Sequence, residues 1–99
     1  MKRQIIFAPL ARLEFEDVVA WYDEQRPGLG NEFRIKVQEA LHQISKSPDR
    51  FRLATPTMHK VIIRRFPYSL YYSMELSTIN VISIFHGARN PAALHRRLK

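Results

Sequence analysis

Residues 61–91, VIIRRFPYSLYYSMELSTINVISIFHGARNP, hold most of the chain's strand-forming side chains and decide its fold. β-Branched and aromatic residues gather in three runs, 60–66, 69–76 and 78–86, and such side chains suit a pleated, half-buried surface. Pro67-Tyr68 separates the first two runs. The second and third are joined so tightly around Leu76-Ser77-Thr78 that a β-hairpin is predicted. Strict alternation puts Leu70, Tyr72 and Met74 on one face of the middle strand. In the last strand it groups Ile79, Val81 and Phe85 on one face and Ile82, Ile84 and His86 on the other. Asn90-Pro91 then opens a short basic helix over 92–98, with Asn90 as N-cap and Pro91 at the first helical position.

Upstream, residues 51–60 contain Thr55-Pro56-Thr57 and read as a loop or irregular edge strand. Before them the apolar period changes. Leu29, Phe33, Val37, Ala40, Leu41 and Ile44 recur at steps of three and four residues and predict a helix over 29–45. Ser47-Pro48-Asp49 ends it, because the residue before a proline is pushed out of the α region. Ala11, Phe15, Val18, Val19 and Tyr22 form the core stripe of an earlier helix over 10–25, with Pro9 in its first turn. Arg26-Pro27-Gly28 breaks that helix, and so short a connection makes the two helices an antiparallel hairpin. Glu14, Glu16 and Asp17 are expected to be solvated near the helix N-terminus, where the dipole favours negative charge. Trp21 falls off the stripe beside Leu10 and is expected to close the core edge, the alternative being a contact surface. With a first strand over 4–8, the order is β-α-α-β-β-β and a terminal α. The fold class is α+β, a helical hairpin packed on one face of a small, mainly antiparallel sheet.

At 99 residues the chain is one domain, 1–99, able to bury roughly two-thirds of its unfolded surface. It has no cysteine, so neither disulfides nor thiolate metal sites are available. The apolar run Ile5-Ile6-Phe7 is too short for a signal-peptide core or a membrane span, so a cytoplasmic protein without membrane contact is expected. Charge is unevenly placed: residues 1–50 carry eight Lys/Arg and eight Asp/Glu, whereas 51–99 carry eight Lys/Arg and only Glu75. The whole net charge of +7 thus belongs to the second half. That asymmetry points to an anionic partner, a nucleic acid or an acidic protein segment, unless it serves solubility alone.

His42, His59, His86 and His95 lack the spacing of a zinc site, no glycine-rich phosphate loop exists among three glycines, and nucleophile motifs are absent. No cofactor is expected. What remains is Arg64-Arg65, the tyrosines Tyr68, Tyr71 and Tyr72, and the cluster His86-Gly87-Ala88-Arg89. His86 reads equally well as a structural residue at a strand end. Arg64 and Arg65, in a strand, would point to opposite faces. The basic residues Arg64, Arg65, Arg89, Arg96 and Arg97 would attract phosphates as readily as carboxylates.

The hairpin pattern AxxxFEDVVxWYxEQxPGLGxxF and the closing pattern FPYxxYY…VxxIFHGARNP resemble the RelE/ParE superfamily of type II toxin–antitoxin toxins over nearly the entire chain. The resemblance implies a growth inhibitor, of the kind tied to plasmid stabilisation, that is neutralised by a cognate antitoxin with an acidic or amphipathic segment. Operator DNA would be reached only through the antitoxin complex. The concentrated positive charge gives that partnership a physical basis. Arg64, Arg65, Tyr72, His86, Arg89, Arg96 and Arg97 are the candidate antitoxin- or target-binding residues.

Two activities divide the superfamily: RelE-like members resemble ribosome-dependent mRNA endonucleases, and ParE-like members resemble poisons of DNA gyrase. Metal-free RNA cleavage needs a base for the 2′-hydroxyl, a cation for the phosphorane and an acid for the leaving oxygen. Nuclease members often begin the penultimate strand with an arginine and carry a tyrosine near the chain end; here Ser69 and Gly87 stand at those places. A nuclease would have only His86, Arg89 and Arg65 to work with. The departures favour the ParE branch and a non-enzymatic inhibitor of gyrase, with ribosome-dependent mRNA cleavage as the alternative. A non-catalytic nucleic-acid-binding module is a third reading.

Overall fold

The computed structural model describes residues 3–87, which form β1 (Gln4–Phe7), α1 (Pro9–Gln25), α2 (Leu29–Lys46), β2 (His59–Ile62), β3 (Tyr68–Met74) and β4 (Thr78–His86). The strands make one mixed sheet in the order β1-β4-β3-β2. β2, β3 and β4 pair antiparallel, while β1 runs parallel to β4 from Gln4↔Thr78 to Phe7↔Val81. The predicted helix over 92–98 lies outside the described residues.

Pro9 occupies the first turn of α1, where its missing N–H leaves no hydrogen bond unmade. The helix stops at extended Arg26, and Gly28, at φ 91°, then serves as the N-cap of α2. Close approach of the helices is set by Gly30, whose amide donates to the Asp23 carboxylate at 2.8 Å. A Cβ on Gly30 would collide with the backbone oxygen of Val19 and come within 2.7 Å of Asp23 Cγ. Ala11, Phe15, Val18 and Val19 of α1 and Phe33, Val37, Ala40 and Ile44 of α2 are buried against Leu70, Tyr72, Ile79, Val81 and Ile84 of the sheet.

Alternation in β4 breaks where the sequence reading assumed it would continue. Tyr71 pairs with Ser83 but Tyr72 pairs with Val81, so Ile82 is an extra, unpaired residue and the strand carries a β-bulge. Facing therefore inverts past Ile82. Ile84 joins Ile79 and Val81 in the main core, whereas Phe85 packs with Tyr71, Ile82 and Met58 in a second cluster. Phe85 thus leaves the face assigned to it, and Ile82 parts from Ile84.

The bulge also gives Glu14 a role other than solvation. β1 ends at Phe7, opposite Val81, leaving the following stretch of β4 without a neighbouring strand on that side. There Glu14 Oε1 accepts from the Ile84 amide at 3.2 Å and from Ser83 Oγ at 3.3 Å. Glu16 and Asp17 are exposed, as expected.

Candidate functional site

The Arg64-Arg65 pair lies in the turn between β2 and β3, not in a strand, so the two side chains are not split between sheet faces. The turn is closed by Ile63 N–H donating to Tyr68 O at 2.9 Å and by Phe66 N–H donating to Ile63 O at 3.3 Å. Arg65 sits at φ 70°, a left-handed conformation that costs a residue with a Cβ about 1–2 kcal/mol. Phe66 holds the turn in place. Its ring meets Tyr22 at 5.0 Å and Phe33 at 5.1 Å, both edge-on, so the helical hairpin anchors the residue following the arginines. Arg64 and Arg65 remain exposed.

His86 ends β4 at the same end of the sheet. It pairs across the ladder with Tyr68, their rings edge-to-face at 5.0 Å, and the next amide, Gly87 N–H, donates to Pro67 O at 2.8 Å. The arginine turn and the start of the His86-Gly87-Ala88-Arg89 cluster are therefore stitched together, which sequence separation alone does not reveal. Arg89, Arg96 and Arg97 lie outside the described residues.

Between this corner and α1 runs a groove of about 540 Å³, walled by Asp17, Val18, Trp21 and Tyr22 from the helix and by Pro67, Tyr68 and His86 from the sheet end. Trp21 does not close the core edge: it is 54% exposed, with its ring edge-on to Tyr22 at 5.1 Å. It stands on the exposed wall of this groove. The Tyr22 phenol is pushed above its ordinary pKa by burial first and by neighbouring Tyr68 second, so it remains a neutral hydroxyl at physiological pH. Trp21, Asp17 and Pro67 were not among the residues singled out for binding. A signal for the first two exists in the spacing Leu10, Leu13, Asp17, Trp21, a second stripe beside the core one.

Tyr72 is not available for binding. It is fully buried, its hydroxyl donates to Pro48 O at 2.6 Å, and its ring stacks on His59 with centroids 5.1 Å apart and planes 14° from parallel. Burial, then the nearby Asp49 carboxylate, pushes its pKa up to about 12. Alternation correctly put it on the core face; its hydroxyl fastens the end of the helical hairpin to β3. Tyr71, on the opposite face, is 5% exposed beside Phe85, with Lys60 Nζ 6.0 Å from its ring centre. Ser69, at the place where an arginine would mark a nuclease, is 7% exposed and opposite Phe85.

The corner thus combines two exposed guanidinium groups on a constrained turn, one imidazole and an aromatic groove with a carboxylate at its wall. Such an arrangement suits an anionic, partly aromatic or apolar partner. Among the described residues no group of three His, Cys, Asp or Glu side chains is placed to hold a metal ion, and no helix is long and apolar enough to cross a membrane.

No protein-family model matches the sequence, and comparison with curated proteins finds no match. Solved structures do match. The chromosomal ParDE toxin–antitoxin system of P. aeruginosa aligns with TM-score 0.74 at 11% identity, over 86% of this chain and 96% of that one. A double arginine-to-alanine mutant of the E. coli toxin RelE in the free state aligns at 0.71 with 19% identity, over 98% and 94%. The same mutant in complex with an antitoxin RelBc peptide aligns at 0.66 with 20% identity, over 100% and 97%. The architecture is that of a small α+β domain. Its fold is the RelE/ParE fold, as the strand order and helical hairpin led one to expect.

Proposed function

We propose that the protein is the toxin of a type II toxin–antitoxin system, a growth inhibitor that acts on DNA gyrase and is neutralised by a cognate antitoxin. Similarity in fold to ParDE and RelE supports the toxin role, and the RelE complex with an antitoxin peptide supports a partner of that kind. The antitoxin's acidic segment would meet the face carrying Arg64, Arg65 and His86, together with Arg89, Arg96 and Arg97. The preference for gyrase over RNA rests on two positions. The β3 position where a nuclease would present its arginine holds a buried serine, Ser69, and Gly87 follows β4 in place of a tyrosine. With one imidazole and no phenol or guanidinium at those positions, metal-free RNA cleavage lacks part of its acid, base and cation set.

Induced expression in bacteria should arrest growth, with relief by the product of an adjacent small gene. The purified chain should inhibit gyrase supercoiling and leave in vitro translation intact. Codon-specific mRNA cuts on stalled ribosomes with normal supercoiling would replace this reading with the RelE-like one, for which His86 beside the arginine turn is the supporting observation. Salt-sensitive nucleic-acid binding without growth arrest would instead indicate the non-catalytic module.

A further inference from the structure

The basic face has a counterpart of opposite charge that an acidic antitoxin does not explain. α1 carries five carboxylates, Glu14, Glu16, Asp17, Asp23 and Glu24, against one basic residue, Arg12. Asp23 is engaged with Gly30, Glu14 with β4, and Arg12 lies over the Phe7 ring at 5.4 Å. Leu10, Leu13, Asp17 and Trp21 follow one another at three- and four-residue steps, so they form one stripe along the helix, with Glu24 extending it from Asp17 through Ala20. Leu10, Leu13 and Trp21 are 58%, 60% and 54% exposed. This stripe lies on the side of α1 away from Phe15 and Val19, which the core already takes. Three large apolar side chains in line on one exposed helix face are more than scattered surface residues need.

We propose that this stripe is a docking surface for a basic amphipathic helix of a partner protein, running along α1 and meeting the His86 corner only at the groove they share. Its shape and chemistry both fit such an occupant. α1 is 17 residues long, about 25 Å, which matches a partner helix of four to five turns. Leu10, Leu13 and Trp21 supply the apolar seam, while exposed Asp17 and Glu24 pair with flanking Lys or Arg. At the Trp21 end the seam opens into the 540 Å³ groove, which accepts one large apolar anchor between Trp21 and Tyr68. An acidic segment would be repelled here, so charge sorts the two partners onto two faces. The inference rests on the α1 stripe and the groove beside it, and stands whether or not the toxin reading does.

Trp21 is the chain's only tryptophan, so its fluorescence reports on this stripe and on the groove it lines. The probe is a synthetic Leu/Lys amphipathic peptide without tryptophan, about five helical turns long, compared with its Leu/Glu counterpart on the full chain. Saturable blue-shifted Trp21 emission with the Leu/Lys peptide, weakened by salt and absent with the Leu/Glu peptide, is the expected result. Asp17→Lys combined with Glu24→Lys should weaken the Leu/Lys peptide by about tenfold or more, and Leu13→Ser should weaken it without altering the circular dichroism spectrum. Three results would overturn the proposal: equal response to both peptides, undiminished binding by the charge-reversed variant, or a concentration-dependent blue shift without peptide, which would assign the stripe to a second copy of the chain.

Discussion

Replacing Tyr72 by phenylalanine separates its structural role from the binding role that sequence alone allows. The ring and its stacking on His59 survive, and only the hydroxyl that donates to Pro48 O at 2.6 Å is lost. Removing the donor from a buried carbonyl costs about 1–3 kcal/mol. With a urea slope of about 1–3 kcal/mol per molar for a small domain, the unfolding midpoint should fall by roughly 1 M. The pH dependence supplies an independent check. The folded pKa of about 12 exceeds the unfolded value of 10, so the burial of neutral Tyr72 contributes fully below pH 10. As pH rises from 10 toward 12 the unfolded chain loses this proton and the folded chain keeps it, so stability falls, by up to roughly 3 kcal/mol. Tyr72→Phe should therefore be less stable at neutral pH yet lose less stability above pH 10. Burial raises the pKa values of Tyr22 and Tyr71 as well, so part of the alkaline loss remains. Urea titrations at several pH values measure both effects. An unchanged midpoint and alkaline limb, with antitoxin binding abolished, would refute the structural account and return Tyr72 to the binding surface.

Gly30→Ala should force the helices apart, because its Cβ has no room against Val19 O; a loss of about 1–3 kcal/mol, and of 4–8 °C in Tm per kcal/mol, is expected by calorimetry. Arg65→Asn, which suits a left-handed turn, should leave Tm unchanged or slightly higher while reducing antitoxin affinity in titration calorimetry; a large fall in Tm would show that the arginine supports the turn. Glu14→Ala should cost about 1–3 kcal/mol and accelerate hydrogen exchange at the Ile84 amide, with little change at Leu70 in the middle of the sheet.

The order of elements was legible because each helix carried a clean apolar stripe and each break except the β3–β4 turn carried proline or glycine. Leu29 to Ile44 and the hairpin around Leu76 needed no tertiary information. The bulge at Ile82 did require it. The bulge lies where β1 stops at Phe7 and Glu14 takes over β4's edge, a relation between residues about seventy positions apart. Without it, alternation misassigned Phe85 and split Ile82 from its true neighbours. Tyr72 was misjudged as a binding residue for a related reason: its facing was right, but the acceptor at Pro48 lies in a helix-to-strand connection that no local pattern points to. Trp21 shows the converse case. Its distance from the core stripe was visible, and the exposed residues at its own spacing, Leu10 and Leu13, carried the better reading.

The arginine turn is where fold and function can be told apart. A tight turn selected only for stability would place glycine or asparagine where Arg65 takes φ 70°. The guanidinium gains nothing for the fold by being there, since its side chain is exposed. The strain is sustained by Phe66, which is wedged against Tyr22 and Phe33, and by the Gly87 amide that ties β4 to Pro67. A rigid apolar anchor on one residue fixes the backbone of the exposed cation before it, in a turn that Gly87 ties to the end of β4. Such preorganisation lowers the entropy that a binding partner must remove, and it matters most for a partner that is itself disordered until bound. On the proposed function, this corner would therefore suit a folding antitoxin segment better than a freely moving substrate.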